Sequence, residues 1–144
     1  MTRRSRAREV ALQALHQREF NAVAPGDGPD RDLHRFLQGR LRSGPLVAFA
    51  EELVAGVDRH RVELDRLLDG RSAHWRVARM AATDRNVLRI AAYELMHTST
   101  PGPVVVDEAI DLARRYGSEA SPRFVAGILG GVLEDLKAAA PDGV

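Results

Sequence analysis

The stretch Thr83-Asp84-Arg85-Asn86-Val87-Leu88-Arg89-Ile90-Ala91-Ala92-Tyr93-Glu94-Leu95-Met96 decides the fold. It contains no proline or glycine, and its leucines, alanines and methionine favour a helix. Thr83 reads as the N-cap, and Asp84 suits the positive end of the helix in its first turn. From Val87 to Met96 the segment is apolar almost all round, and Arg85, Asn86 and Arg89 leave only a narrow polar strip. A helix of that kind is covered on nearly every side and belongs at the centre of a helical bundle.

Reading towards the C-terminus, Thr98–Pro103 is a loop, with two prolines around Gly102. A helix follows from Pro103 or Val104 to Gly117, with Val105, Ala109, Leu112 and Tyr116 on one stripe and Asp111 and Arg115 outside it. The alanines and Leu112 outweigh the strand signal of three consecutive valines. Ser121-Pro122 starts the last helix, as cap and first-turn proline. Its buried stripe is Val125, Ile128, Leu129, Val132 and Leu136. Gly127, Gly130 and Gly131 each cost about 1 kcal/mol there relative to alanine. Close approach of another helix, or a kink, is the expected compensation. The tail from Pro141 is expected to be disordered.

Reading towards the N-terminus, a short segment around 73–80 carries Trp75 and Met80, with Ser72 as its expected cap. Trp75 is expected in the core, its indole N–H on a carbonyl. A segment over 60–69 ends at Gly70, a C-cap residue. Leu46, Phe49, Leu53 and Val57 mark another helix after Ser43-Gly44-Pro45. Leu33, Phe36, Leu37 and Leu41 mark one over 30–41. The linker Asn21–Pro29 is a loop. Val10, Ala11, Ala14 and Leu15 mark a first helix over Ser5–Phe20. About seven helices and no strand make the chain all-α.

Composition narrows the function. The chain has 144 residues, enough for one domain or two small helical subdomains. It has no cysteine, which excludes disulfides, thiolate metal sites and a cysteine nucleophile. No apolar run reaches the roughly 20 residues of a membrane span, and no signal-like stretch follows the basic start. The expected location is cytoplasmic. No HExxH, G-x-S-x-G, P-loop or dinucleotide-binding pattern occurs. The five histidines show no helical i, i+4 pair, so the sequence predicts no metal, no cofactor and no catalytic residue. Asp107, Glu108 and Asp111 lie beside Arg114 and Arg115 on a polar face and read as a surface ion-pair network.

The net charge of +1 conceals basic segments. Arg3, Arg4, Arg6, Arg8 and Arg18 stand against Glu9 and Glu19 within residues 1–20. Arginine offers charge, a fork for phosphate and a flat face for bases. On the first helix Arg6, Gln13 and Gln17 share a stripe opposite the alanines, flanked by Glu9 and His16. Tyr116 and Phe124 flank the turn Gly117–Ser121, close to Arg115 and Arg123. They fit a stacking platform for an unpaired base and equally two core aromatics bracketing a tight turn. Local sequence leaves both readings open.

Four segments, in order, resemble the NusB family. They are Arg3–Glu9 leading into ALQALHQREF, then DRNVLRIAAYEL, VVVDEAIDLARRYGS and SPRFVAGILGGVLEDL. Residues 21–82 match in helix pattern only. The resemblance implies two packed three-helix bundles, an N-terminal subdomain of about 1–80 and a C-terminal one of about 81–140, with 141–144 as tail. It implies binding of boxA-type single-stranded RNA of ribosomal RNA leader transcripts. The partner would be a small-subunit ribosomal protein acting as NusE, within an RNA polymerase antitermination complex. Membranes play no part, and homodimer formation stays open. By position, the resemblance makes Arg3, Arg4, Arg6, Arg8, Gln13, His16, Tyr116, Ser121, Arg123 and Phe124 RNA-contacting. It makes Asp84, Arg85 and Arg89 partner-facing. The two RNA-contacting regions are expected to form one face.

Three positions depart from the family pattern. His16 replaces a common tyrosine, Ala120 a common acidic residue, and Ala126 the asparagine of F-V-N-G. Alanine cannot make the amide's hydrogen bonds. A helical protein-interaction module with weakened or lost RNA binding is therefore the competing reading. Related domains also precede the catalytic part of ribosomal RNA cytosine methyltransferases. With no catalytic cysteine and no cofactor-binding sheet, this chain is not expected to be such an enzyme.

Overall fold

A computed structural model describes residues 2–20, 30–72 and 75–140. All the regular structure among them is helical: α1 (Arg3–Phe20), α2 (Arg31–Arg40), α3 (Gly44–Arg59), α4 (Arg61–Asp69), a 3-10 turn (Val77–Arg79), α5 (Ala82–His97), α6 (Gly102–Tyr116) and α7 (Ser121–Ala139). The expected loop over 21–29 and the tail from Pro141 lie outside the described residues. Among the described residues no helix is long and apolar enough to cross a membrane.

The chain divides into two compact units, Met1–Arg59 and His60–Val144. In the first, α1, α2 and α3 pack on one another. Ala7, Val10, Ala11, Ala14 and Leu15 of α1 are buried, as are Leu33 and Leu37 of α2 and Leu53, Val54 and Val57 of α3. Asp30 caps α2, its Oδ1 accepting from the Leu33 N–H at 2.9 Å. Arg18 ties this unit together, reaching Asp30 at 2.7 Å and Asp58 at 2.9 Å.

In the second unit α5, α6 and α7 pack mutually, and α4 lies against α5 and α7. The unit boundary therefore falls at Arg59, not near residue 80. The reason is α4: its Leu64 and Leu68 are fully buried, and its Asp65 accepts two hydrogen bonds from Arg89 of α5, both 2.8 Å. The stretch Val87–Tyr93 of α5 is buried throughout, as its all-round apolar sequence requires.

Three local readings change. Helix α5 begins at Ala82, one residue before Thr83, and Ala81 at its N-cap makes no side-chain cap bond. Ser121 is the first residue of α7, not its cap. Trp75 is 55% exposed, not core. Among the described residues around it, only Val77–Arg79 make a 3-10 turn, and Ser72 Oγ bonds the Trp75 carbonyl. Among the described residues, nothing lies within 4 Å of where a Cβ would stand on Gly127 or Gly130, and none of their helices makes the expected close approach at either. At Gly131 that place is taken by the stem of Arg71, with Cδ 2.7 Å away.

Candidate nucleic-acid interface

The basic start of the chain builds a patch on the first unit. Arg3 and Arg4 are exposed, and Arg6 is half-exposed and paired with Glu9. Arg8 differs: it is only 3% exposed. Its guanidinium carbon lies 5.2 Å from the Phe49 ring centroid, and that of Arg4 lies 4.8 Å away. Helical periodicity explains the split. Arg8 follows Ala7 and precedes Val10 and Ala11 on the side that faces α3, so its stem is covered. Arg8 is thus withdrawn from the exposed set that the sequence suggested.

Arg3 and Arg6 line a groove together with Thr2, Arg40, Arg42 and Ser43. Four arginines converge there, two from α1 and two from the end of α2 and the break after it. Arg40 stacks over Phe36, its guanidinium carbon 3.7 Å from the ring centroid. Sequence reasoning missed Arg40 and Arg42. Thirty-six residues part Arg6 from Arg42, and no local pattern joins them. Farther along α1, His16 is exposed and Gln13 half-buried.

The turn from α6 to α7 builds the second patch, on the second unit. The turn is tight. A Cβ on Gly117 would fall 2.5 Å from Ser121 Cβ and Oγ, so only glycine allows this approach. Ser121 Oγ accepts from the Ser118 N–H at 2.9 Å, and Ser121 is buried. Ser121 therefore braces the turn and presents no hydroxyl to solvent. The turn sets Tyr116, 41% exposed, at one end and the exposed Arg123 and half-exposed Phe124 at the other.

Phe124 lines a cavity of about 250 Å³ with Trp75, Arg79, Asp84 and Ser118. Two aromatic rings, one cation and one carboxylate thus share a single recess. Asp84 Oδ1 is buried and has no hydrogen-bond partner among the described residues. A buried acceptor left unpaired is costly, and because Oδ1 is closed off from solvent a donor reaches it only after the Asp84 side chain turns towards the recess. Trp75 is the aromatic that sequence reasoning assigned elsewhere, because a lone tryptophan is more often core than surface.

The residues expected to face a partner separate. Asp84 belongs to the cavity. Arg85 is half-buried and donates to the Met80 carbonyl at 2.9 Å. Arg89 is 6% exposed and bound to Asp65. Within the second unit Arg89 is thus taken up by α4 and Arg85 by the segment before α5. On α6, Arg114 donates to Asp111 at 2.8 Å, both well exposed, as an ordinary surface pair.

Comparison with known proteins places this geometry. The model of the NusB family matches residues 5–134. The transcription antitermination protein NusB of Anaeromyxobacter dehalogenans is 45% identical over 136 residues, covering 94% of this chain and 93% of that protein. The structure of NusB from T. maritima superposes with a TM-score of 0.77 at 34% identity, covering 94% of this chain and 92% of that one. A crystal structure of the antitermination factors NusB and NusE in complex with double-stranded RNA has a TM-score of 0.77 at 25% identity, with 94% and 98% covered.

Proposed function

The chain belongs to the NusB family, and on that premise we propose that it is a transcription antitermination factor. In this reading it binds boxA-type single-stranded RNA of ribosomal RNA leader transcripts together with a small-subunit ribosomal protein, NusE. It acts in the cytoplasm within an RNA polymerase antitermination complex, and it catalyses no reaction.

The observation that carries the reading is the recess at the α6–α7 turn. Phe124 and Trp75 offer faces on which an unpaired base stacks, and the Asp84 carboxylate lines the same recess beside them. Its size of about 250 Å³ suits a single planar ring and is below the usual range for whole small-molecule ligands. Tyr116 and Arg123 extend the surface beside it. The arginine groove of the first unit supplies phosphate contacts, with Arg3 and Arg6 from the start of α1 in it and the exposed Arg4 on the same helix. Arg40 and Arg42 join them, and Gln13 and His16 lie farther along the helix. Asp84 moves in this reading from the protein partner to the RNA. Double-stranded RNA is what the solved relative complex holds; unpaired RNA is the form that ring stacking requires.

Fluorescence anisotropy with a boxA-type single strand, its duplex and a scrambled strand tests the reading, with and without NusE. The single strand should bind best, and more tightly with NusE. Phe124→Ala with Trp75→Ala should weaken it by about tenfold or more, since each stacked base contributes about 1–3 kcal/mol. No binding of any RNA in either condition would replace the proposal with a protein-interaction module.

A further inference from the structure

We propose that His60, Glu63 and His97 form a surface site for a divalent transition-metal ion of the zinc class. The inference is independent of RNA binding. His60 stands at the N-cap of α4, Glu63 in the first turn of that helix, and His97 is the last residue of α5. The packing of α4 on α5 brings the three together. One ligand atom from each lies within 4.8 Å of the other two.

The spacing fits an ion. Two ligands each about 2.1 Å from a tetrahedral zinc ion stand roughly 3.4 Å apart. His97 Nε2 is 3.1 Å from Glu63 Oε1, and His60 Nδ1 is 3.7 Å from Glu63 Oε2. The two imidazoles meet different oxygens of the Glu63 carboxylate, and the three ligand atoms, within 4.8 Å of one another, close to the required spacing when the side chains rotate. The donor set of two imidazoles and one carboxylate suits zinc and its neighbours, not calcium or magnesium, which take oxygen ligands.

The site also has a floor. The His60 and His97 rings stack with centroids 4.1 Å apart. Tyr93, itself buried, lies against both, with centroids 5.2 Å from His97 and 6.0 Å from His60. The rings are neighbours before any ion arrives, and because their lone pairs lie in the ring planes they must tilt out of the stack to share one ion. The negative end of α5 favours a cation at His97, while the positive end of α4 opposes it, and the Glu63 charge offsets that opposition. Glu63 and His97 face solvent, so water completes the coordination.

An ion here would join the start of α4 to the end of α5.

Isothermal titration of the full chain with zinc chloride, and cobalt absorption spectra, test the site. One ion should bind per chain, with the visible bands of tetrahedral cobalt. His97→Gln and Glu63→Gln should each weaken binding by about tenfold or more. His34→Gln should leave it unchanged, although His34 also pairs with a carboxylate, that of Glu51. In the unmodified chain, zinc should shift the ring-proton resonances of His60 and His97 and leave those of His16 and His34 in place. Binding that never saturates, survives His97→Gln, or shifts other histidines instead would overturn the proposal.

Discussion

Arg8 and Arg3 lie five positions apart in one arginine-rich run, yet the fold gives them different tasks. Arg8 is buried against Phe49. Its replacement by alanine should cost about 1–3 kcal/mol of stability, through lost packing and an opened cavity. Arg3→Ala should leave the thermal midpoint unchanged and lower the salt slope of RNA binding by about 0.7 for a single strand. Thermal melts and salt titrations of the two variants check this; equal melting losses would put Arg3 in the core as well. The sequence carried the charge pattern, but the side that faces α3 became visible only in the packing. Trp75 errs in the opposite direction. Its size favoured the core, but among the described residues near it the regular structure is only the 3-10 turn Val77–Arg79.

At the scale of the element, the α5 stretch was legible because apolar residues on all sides leave a helix one location, the interior. Helix number and order followed from the 3.6-residue period and from proline and glycine. The ends were less legible. Thr83 and Ser121 are good caps by composition, yet each stands inside its helix by a residue or so. The three glycines of α7 were legible as anomalies and not as a cause. Gly127→Ala and Gly130→Ala meet open space. Each should stabilise the protein by about 0.5–1 kcal/mol through helix propensity alone. Gly131→Ala should gain less or lose, because it displaces Arg71. Chemical denaturation of the three variants measures the difference.

Arg71 has a second role at this scale. It leaves the end of α4 and grips Asp135 of α7, with contacts of 2.8 and 2.5 Å. That hydrogen bond holds the Asp135 carboxyl below its ordinary range and raises the Arg71 guanidinium. A carboxyl depressed in the folded state stabilises fully above its unfolded value, about 3.9. The contribution is lost as the pH falls through the lower folded value. Asp135→Asn should therefore melt below the parent at pH 7, and the gap should close in the acid range. The gap will be small, because the pair is open to solvent. A difference that persists undiminished in acid would show that charge is not its origin.

At the scale of the molecule, each of the two units carries one candidate surface. The first offers four arginines around a groove, and the second a ring-lined recess with an unpaired acceptor. Family membership was legible in four short segments because they hold the buried faces and the α6–α7 turn. The partition at Arg59 was not, since it depends on Asp65 of α4 finding Arg89 of α5 twenty-four residues later. The His60–Glu63–His97 cluster escaped for the same reason: no helical period links a residue before α4 to one at the end of α5.

The central claim is that the arginine groove and the recess both hold RNA. Anisotropy titration of a labelled boxA-type strand into the chain with NusE tests it most directly. The variants are Arg3→Ala with Arg6→Ala, and Phe124→Ala. The arginine pair should weaken binding and flatten its salt dependence by about 1–1.5 in log–log slope. Phe124→Ala should weaken binding by about tenfold with the slope retained. Full affinity and an unchanged slope in both variants would contradict the account.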